Sequence, residues 1–191
     1  MLRQLTAAAG MLLVFTALTG LVYPLVVTGA AQAAFGHRAD GSLIERDGEA
    51  VGSELIGQPF EGEGYFHPRP SAVGYDGAAS GGDNLGPSDE GLLEGIEART
   101  EEYRAENGLA DDAEVPVDAV TASASGLDPH ITVANARLQT SRVAEARGMD
   151  TGEVARLVDD NTTGRTLGVL GEKGVNVLEL NLALDEEAPA S

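Results

Sequence analysis

The feature that most restricts this chain is the stretch from Gln4 to Gly36, which carries no charged side chain. From Ala7 to Val27 nearly every residue is Ala, Gly, Leu, Val, Phe, Thr or Tyr. As a helix this run measures roughly 31 Å at 1.5 Å per residue, close to the ~30 Å hydrocarbon core of a bilayer. It reads as one membrane-spanning helix. The rival reading is a cleaved secretory signal, because Ala31-Gln32-Ala33 has a small-x-small pattern. Signal cores run to only ~7–15 residues, however, which favours a retained anchor over residues 1–35. Pro24 removes one helical hydrogen bond and crowds the carbonyl of Gly20, so a bend is expected near there. Thr6, Gly10, Leu13, Ala17, Gly20, Pro24 and Val27 recur at alternating steps of four and three. This seam of mostly small residues suits close helix–helix approach in lipid, which makes Thr6, Gly10, Ala17 and Gly20 candidate partner contacts.

Charge sets the expected topology. Arg3 is the only charged side chain before the apolar run, which favours a cytoplasmic N-terminus and an extracytoplasmic remainder. The whole chain carries a net charge of −19; beyond Arg3, 11 basic side chains face 31 acidic ones, leaving −20. Such a surface repels nucleic acid. About 155 residues suffice for one domain with a proper core. There is no cysteine, which excludes disulfides, thiolate metal sites and a Cys nucleophile. His37, His67 and His130 show no ligand spacing, so no metal site is assigned.

Arg46-Asp47-Gly48-Glu49 lies between short apolar runs and predicts a hairpin. A long Gly/Pro/Ser-rich loop, Pro59 to Pro87, holds Phe60, Tyr65, Phe66 and Tyr75, and loops of that length with aromatics pack or bind. Ser88 is the expected N-cap of a helix carrying Leu92, Leu93, Ile96 and Tyr103 and ending at Asn107-Gly108. Asp128-Pro129 or Thr132 starts a second helix reaching Arg147, with Gly148 beyond its end. Asp150 starts a third, ending near Asn161. Val175 to Leu184 alternates and reads as a half-buried strand with Leu178, Leu180, Leu182 and Leu184 on one face, paired with Thr166 to Leu170. The fold class expected is α+β: a single extracytoplasmic domain over residues 36–185, anchored by one N-terminal transmembrane helix, with residues 186–191 as a disordered tail.

Enzyme templates fail. The only lysine, Lys173, is followed by Gly174 rather than the Ser or Thr of a P-loop, and Ser80 in Ala78-Ala79-Ser80-Gly81-Gly82 lacks the first glycine of a nucleophile elbow. By contrast, Gly52-Ser53-Glu54-Leu55-Ile56-Gly57-Gln58, Gly64-Tyr65-Phe66-His67-Pro68-Arg69-Pro70-Ser71-Ala72 and Ala79-Ser80-Gly81-Gly82-Asp83-Asn84-Leu85 closely resemble the C subunit (KdpC) of the bacterial Kdp-type potassium-transporting ATPase. So do Val120 to Asp128, Arg142-Val143-Ala144 and Val175 to Asp185, in the same order. The resemblance implies an accessory subunit of a potassium pump in the bacterial cell membrane. Its implied partners are a channel-like A subunit, an ATP-hydrolysing P-type B subunit and a small F subunit. It implies roles in assembly and as a chaperone that raises the ATP affinity of the hydrolytic subunit, with K+ the transported ion and no catalysis by this chain alone. Gln139 matches the position at which nucleotide contact has been proposed in that family. Read physically, Tyr65, Phe66, His67 and Arg69 are stiffened by two prolines and have the composition of an interface hot spot. The alternative is a loop folded onto its own domain. A second function class also stays open: a free-standing, membrane-anchored extracytoplasmic binding or hydrolytic domain.

Overall fold

Lipid offers no hydrogen-bond partners, so an apolar stretch of this length must satisfy its backbone within itself. The computed structural model describes residues 1–46 and 48–188. In it the N-terminus forms one helical stretch, Leu2–Ala39, 38 residues with a kink at Phe35, long and apolar enough to cross a membrane. Helix α1 (Leu2–Ala17) passes through a π turn, Leu18–Val22, into α2 (Tyr23–Ala39). The π turn ends at Val22, one residue short of the position before Pro24, and the Tyr23 N–H donates to the carbonyl of Leu18, five residues back. The wider spacing falls where Pro24, having no N–H, cannot continue the regular ladder. The first residue to leave helical angles is Phe35 (φ −144°, ψ 45°), well beyond the proline.

Residues Met1–Ile44 and Glu45–Ser191 form two compact units. Strands β1 (Leu43–Arg46) and β2 (Glu49–Ser53) make the expected hairpin. Gly48 has φ +82° at its turn; Asp47, the other half of the expected Asp-Gly signal, lies outside the described residues. In the second unit, α3 (Glu90–Glu106) is capped by Asp89, one residue later than the expected Ser88. The Asp89 side chain accepts from the Leu92 N–H. After the single turn α4 (Val117–Val120) and β3 (His130–Ile131), Thr132 caps α5 (Val133–Arg147). Gly148 closes α5 in the left-handed region, and Asp150 caps α6 (Thr151–Asp160), as the sequence predicts.

The C-terminal region departs from expectation. β5 is only Gly174–Asn176, and Val177–Glu187 is a helix, α7, not the strand predicted over Val175 to Leu184. Asn176 ends the strand by turning its side-chain oxygen onto the N–H groups of Leu178 and Glu179. The buried residues Val177, Leu178, Leu180, Asn181 and Leu184 follow a helical stripe, and Leu, Glu and Ala are strong helix formers. The expected partner, Thr166 to Leu170, makes only one bridge between its own ends. β5 instead pairs antiparallel with β3 (His130↔Asn176) and with β4 (Thr162–Thr163; Thr162↔Val175), in the order β3-β5-β4. Of the expected tail, Glu186 and Glu187 belong to α7, and residues 189–191 lie outside the described residues.

Small strands cannot enclose a core alone; helices α5, α6 and α7 supply it. Val143, Val154, Val158, Val175, Leu180 and Leu184 are fully buried together, and Phe66 from the long loop joins them.

Candidate functional site

An extended loop segment that enters a core must find partners for its backbone. Residues 64–69 find them in side chains. The Phe66 N–H donates to Asn181 Oδ1 (2.9 Å), and Asn181 Nδ2 donates back to the Phe66 carbonyl (3.0 Å). One residue on, the His67 N–H donates to Gln139 Oε1 (2.7 Å) and Gln139 Nε2 donates to the His67 carbonyl (3.1 Å). Two carboxamides, from α7 and α5, thus take the place of a neighbouring β-strand on consecutive residues.

Gln139 is 1 % exposed, and both the oxygen and the nitrogen of its amide are fully used. Oε1 also accepts from Arg142 Nη2 (2.9 Å), and Nε2 also donates to Asn135 Oδ1 (2.9 Å). Two acceptor positions and two donors are all a carboxamide has. The network continues outward: the Tyr103 hydroxyl donates to Asn135 Oδ1 (2.8 Å), and Asn135 Nδ2 donates to Asp118 (3.1 Å). Asp118 also receives the Thr132 N–H (2.7 Å) and hydroxyl (2.9 Å), so it holds the N-terminus of α5. Burial pushes the Tyr103 phenol well above its ordinary pKa, and the nearby Asp118 charge adds to this.

Two arginines of α5 gather the carbonyls before Phe66. Arg142 donates to the carbonyls of Glu63 (2.6 Å) and Tyr65 (3.0 Å) and to Asn107 Oδ1 (3.0 Å). Burial lowers its pKa, and Glu106 opposes the shift. Arg147 donates to Gly64 O and to Asp185 Oδ1 (2.9 Å), and its guanidinium lies 4.7 Å from the centre of the Tyr65 ring. The Tyr65 ring stands 5.7 Å from that of Phe60.

The remaining candidates of the loop are also engaged. His67 places Nδ1 2.6 Å from Glu106 Oε1 and Nε2 3.0 Å from the Gly62 carbonyl. The hydrogen bond from His67 holds the Glu106 carboxyl below its ordinary pKa against the effect of burial. Arg69 pairs with Asp128 (3.1 Å) and reaches the carbonyls of Thr121 and Ala122 (3.4 Å each). Burial pushes the Asp128 carboxyl up, but hydrogen bonds from His130 and the charge of Arg69 outweigh it, and the net shift is downward. The small residues of 123–128 admit the loop closely: Ser71 Oγ donates to Gly126 O (2.6 Å), and a Cβ on Gly126 would stand 2.7 Å from Gly81 O.

Of the sequence-predicted residues, the structure brings Phe66, His67 and Gln139 together and ties Tyr65 and Arg69 to the same loop. Phe66 is wholly in the core. A cavity of about 130 Å³ flanks His67, Glu106 and Gln139. Thr6, Gly10, Ala17 and Gly20 lie exposed along the N-terminal helix, and Cβ atoms added at Gly10 and Gly20 would meet nothing within 4 Å. Asn135, Arg142, Arg147 and Asn181 were given no site role by sequence reasoning, although Arg142 and Asn181 lie in the motifs that carry the family resemblance. The available signal was Asn181, a polar residue within the apolar run Val175 to Leu184. Among the described residues no group of three or more His, Asp or Glu side chains is placed to hold a metal ion.

Fold and site together define a small acidic α+β domain following a single apolar helix. The family model for the K+-transporting ATPase c chain, KdpC, matches residues 5–186. Similar curated proteins are the potassium-transporting ATPase KdpC subunits of Mycobacterium tuberculosis (strain H37Rv), 58 % identical over 97 % of this chain and 99 % of that one, and of Sorangium cellulosum, 55 % identical over 97 % and 98 %. That of Rhodospirillum rubrum is 52 % identical over 99 % and 98 %. The chain belongs to the KdpC family.

Proposed function

We propose that this chain is the membrane-anchored accessory subunit of a potassium-transporting ATPase, with its domain on the extracytoplasmic side. There it serves assembly of a complex with a channel-like A subunit, an ATP-hydrolysing B subunit and a small F subunit. Arg3 ahead of the span supports the orientation, and the relatives' names support the complex. The observation that carries the reading is the saturated network at residues 64–69, where the polar groups hold the chain's own backbone. That is the construction of a rigid docking body.

The ATP-affinity role of the family enters, on this proposal, by coupling: a domain that binds one conformation of the pump better than another shifts the pump's equilibrium and with it a remote ATP site. A direct nucleotide contact at Gln139 is the competing possibility. The spent amide and the 130 Å³ cavity beside it, against ~300–1,000 Å³ for small-molecule pockets, support coupling.

Co-purification in mild detergent tests the complex, with partner subunits expected in defined ratio. A Cβ at Gly10 or Gly20 meets nothing within 4 Å, so for Gly10→Leu with Gly20→Leu normal insertion with loss of assembly is expected if the small-residue seam is the interface. Crosslinking with a photoreactive ATP analogue in sealed, oriented vesicles separates the two ATP roles. Labelling near Gln139 from the cytoplasmic side would overturn both the coupling account and the topology.

A further inference from the structure

Between β4 and β5 the chain forms a finger whose tip turns its apolar side chains outward. Leu167 is 87 % exposed, Val169 73 % and Leu170 59 %. The tip is held by its own backbone: the Thr166 N–H donates to Leu170 O (2.9 Å) and the Leu170 N–H to Thr166 O (3.0 Å). Leu167 itself takes the left-handed φ of +55°. At the root, Arg165 pairs with Glu172 (2.7 Å), and Lys173, the only lysine of the chain, has no ion-pair partner among the described residues. The finger is therefore net positive on an otherwise strongly acidic domain.

We propose that this finger enters the membrane interface, with Leu167, Val169 and Leu170 in the headgroup–acyl boundary and Lys173 and Arg165 against lipid phosphates. Three charge and contact facts favour lipid over a protein partner. Three side chains fall far short of the ~1,600 Å² that a stable protein interface buries. A bilayer needs no shape-matched groove; it accepts an apolar tip with a basic root. Only Asp40, Gly41 and Ser42 separate α2 from β1, so an encounter of the finger with the bilayer that holds the anchor is intramolecular, and a weak contact is enough. The acidic remainder is repelled by anionic headgroups, so the finger also decides which side of the domain faces the bilayer. This inference goes beyond the accessory role above and does not depend on it.

The chain has no cysteine, so a single environment-sensitive fluorophore can be placed at will. Full-length protein carrying Leu167→Cys, labelled and reconstituted alone in phosphatidylcholine vesicles, should show blue-shifted emission. Headgroup-proximal spin labels should quench it roughly threefold more than the same dye at Val117→Cys, an apolar control site that is also largely exposed (72 %). Adding phosphatidylglycerol should strengthen the quenching, and Lys173→Glu should abolish that increment. Adding Val169→Asp and Leu170→Asp should return the label to water while the melting temperature stays unchanged. A label at 167 as water-exposed as that at 117 in both vesicle types would overturn the proposal. So would a label that becomes dry only in the assembled pump, which would assign the finger to a partner subunit.

Discussion

Two glycine-bearing loops of the same domain use their apolar residues in opposite ways. Residues 64–69 drive Phe66 into the core and surround it with hydrogen bonds from α5 and α7, whereas residues 165–173 hold Leu167, Val169 and Leu170 out in solvent on a self-bonded turn. Neither loop has a strand neighbour along its length. The difference is what satisfies the backbone: two carboxamides and two arginines come to the first loop, and only its own ends come to the second. A loop becomes part of the core when the surrounding helices present polar side chains to it, and its own composition does not decide this.

That contrast breaks most sharply at Phe66. Phe66→Ala should cost about 3–5 kcal/mol of stability, the range for deleting a fully buried aromatic side chain, read from denaturant unfolding of the full chain in detergent. Next come the carboxamides. Gln139→Leu or Asn181→Leu should each cost roughly 2–4 kcal/mol, because each strands a buried N–H and C=O of the loop. A near-neutral result for Gln139→Leu would show that its amide is not structural. Gly126→Ala should cost about 1–3 kcal/mol, since φ +66° disfavours a Cβ there and the close approach to Gly81 O leaves no room for one.

Acid should loosen the first loop. The folded-state pKa values of Glu106 and Asp128 are both depressed. Their contribution is therefore complete above the ordinary carboxylate range and is lost as pH falls below it through the lowered folded values. Melting temperature measured across that window should fall, and Glu106→Gln should flatten part of the decline. The smallest effect belongs to the finger: Leu167→Ser should change stability by less than about 0.5 kcal/mol, as expected for an exposed side chain without partners in the fold.

What the sequence alone determined were the features written in local chemistry. The apolar helix follows from an uncharged run that has to satisfy its own backbone. Helix α5 follows from Thr132 and Gly148, and α6 from Asp150, because caps act over two or three residues. The family motifs were likewise legible, as the match over residues 5–186 shows. Tertiary structure alone decided the rest. The leucines of 178–184 satisfy both a period of two and a helical stripe, and the choice went to helix because α5 and α6 offered a surface for Leu180 and Leu184, with Asn176 capping the turn. Likewise, nothing near Phe66 in the chain announces Asn181 or Gln139, which lie 115 and about 73 residues away. A hydrogen bond over such separations exists only once the helices have packed, and until then a buried anchor and an exposed one are written with the same residues.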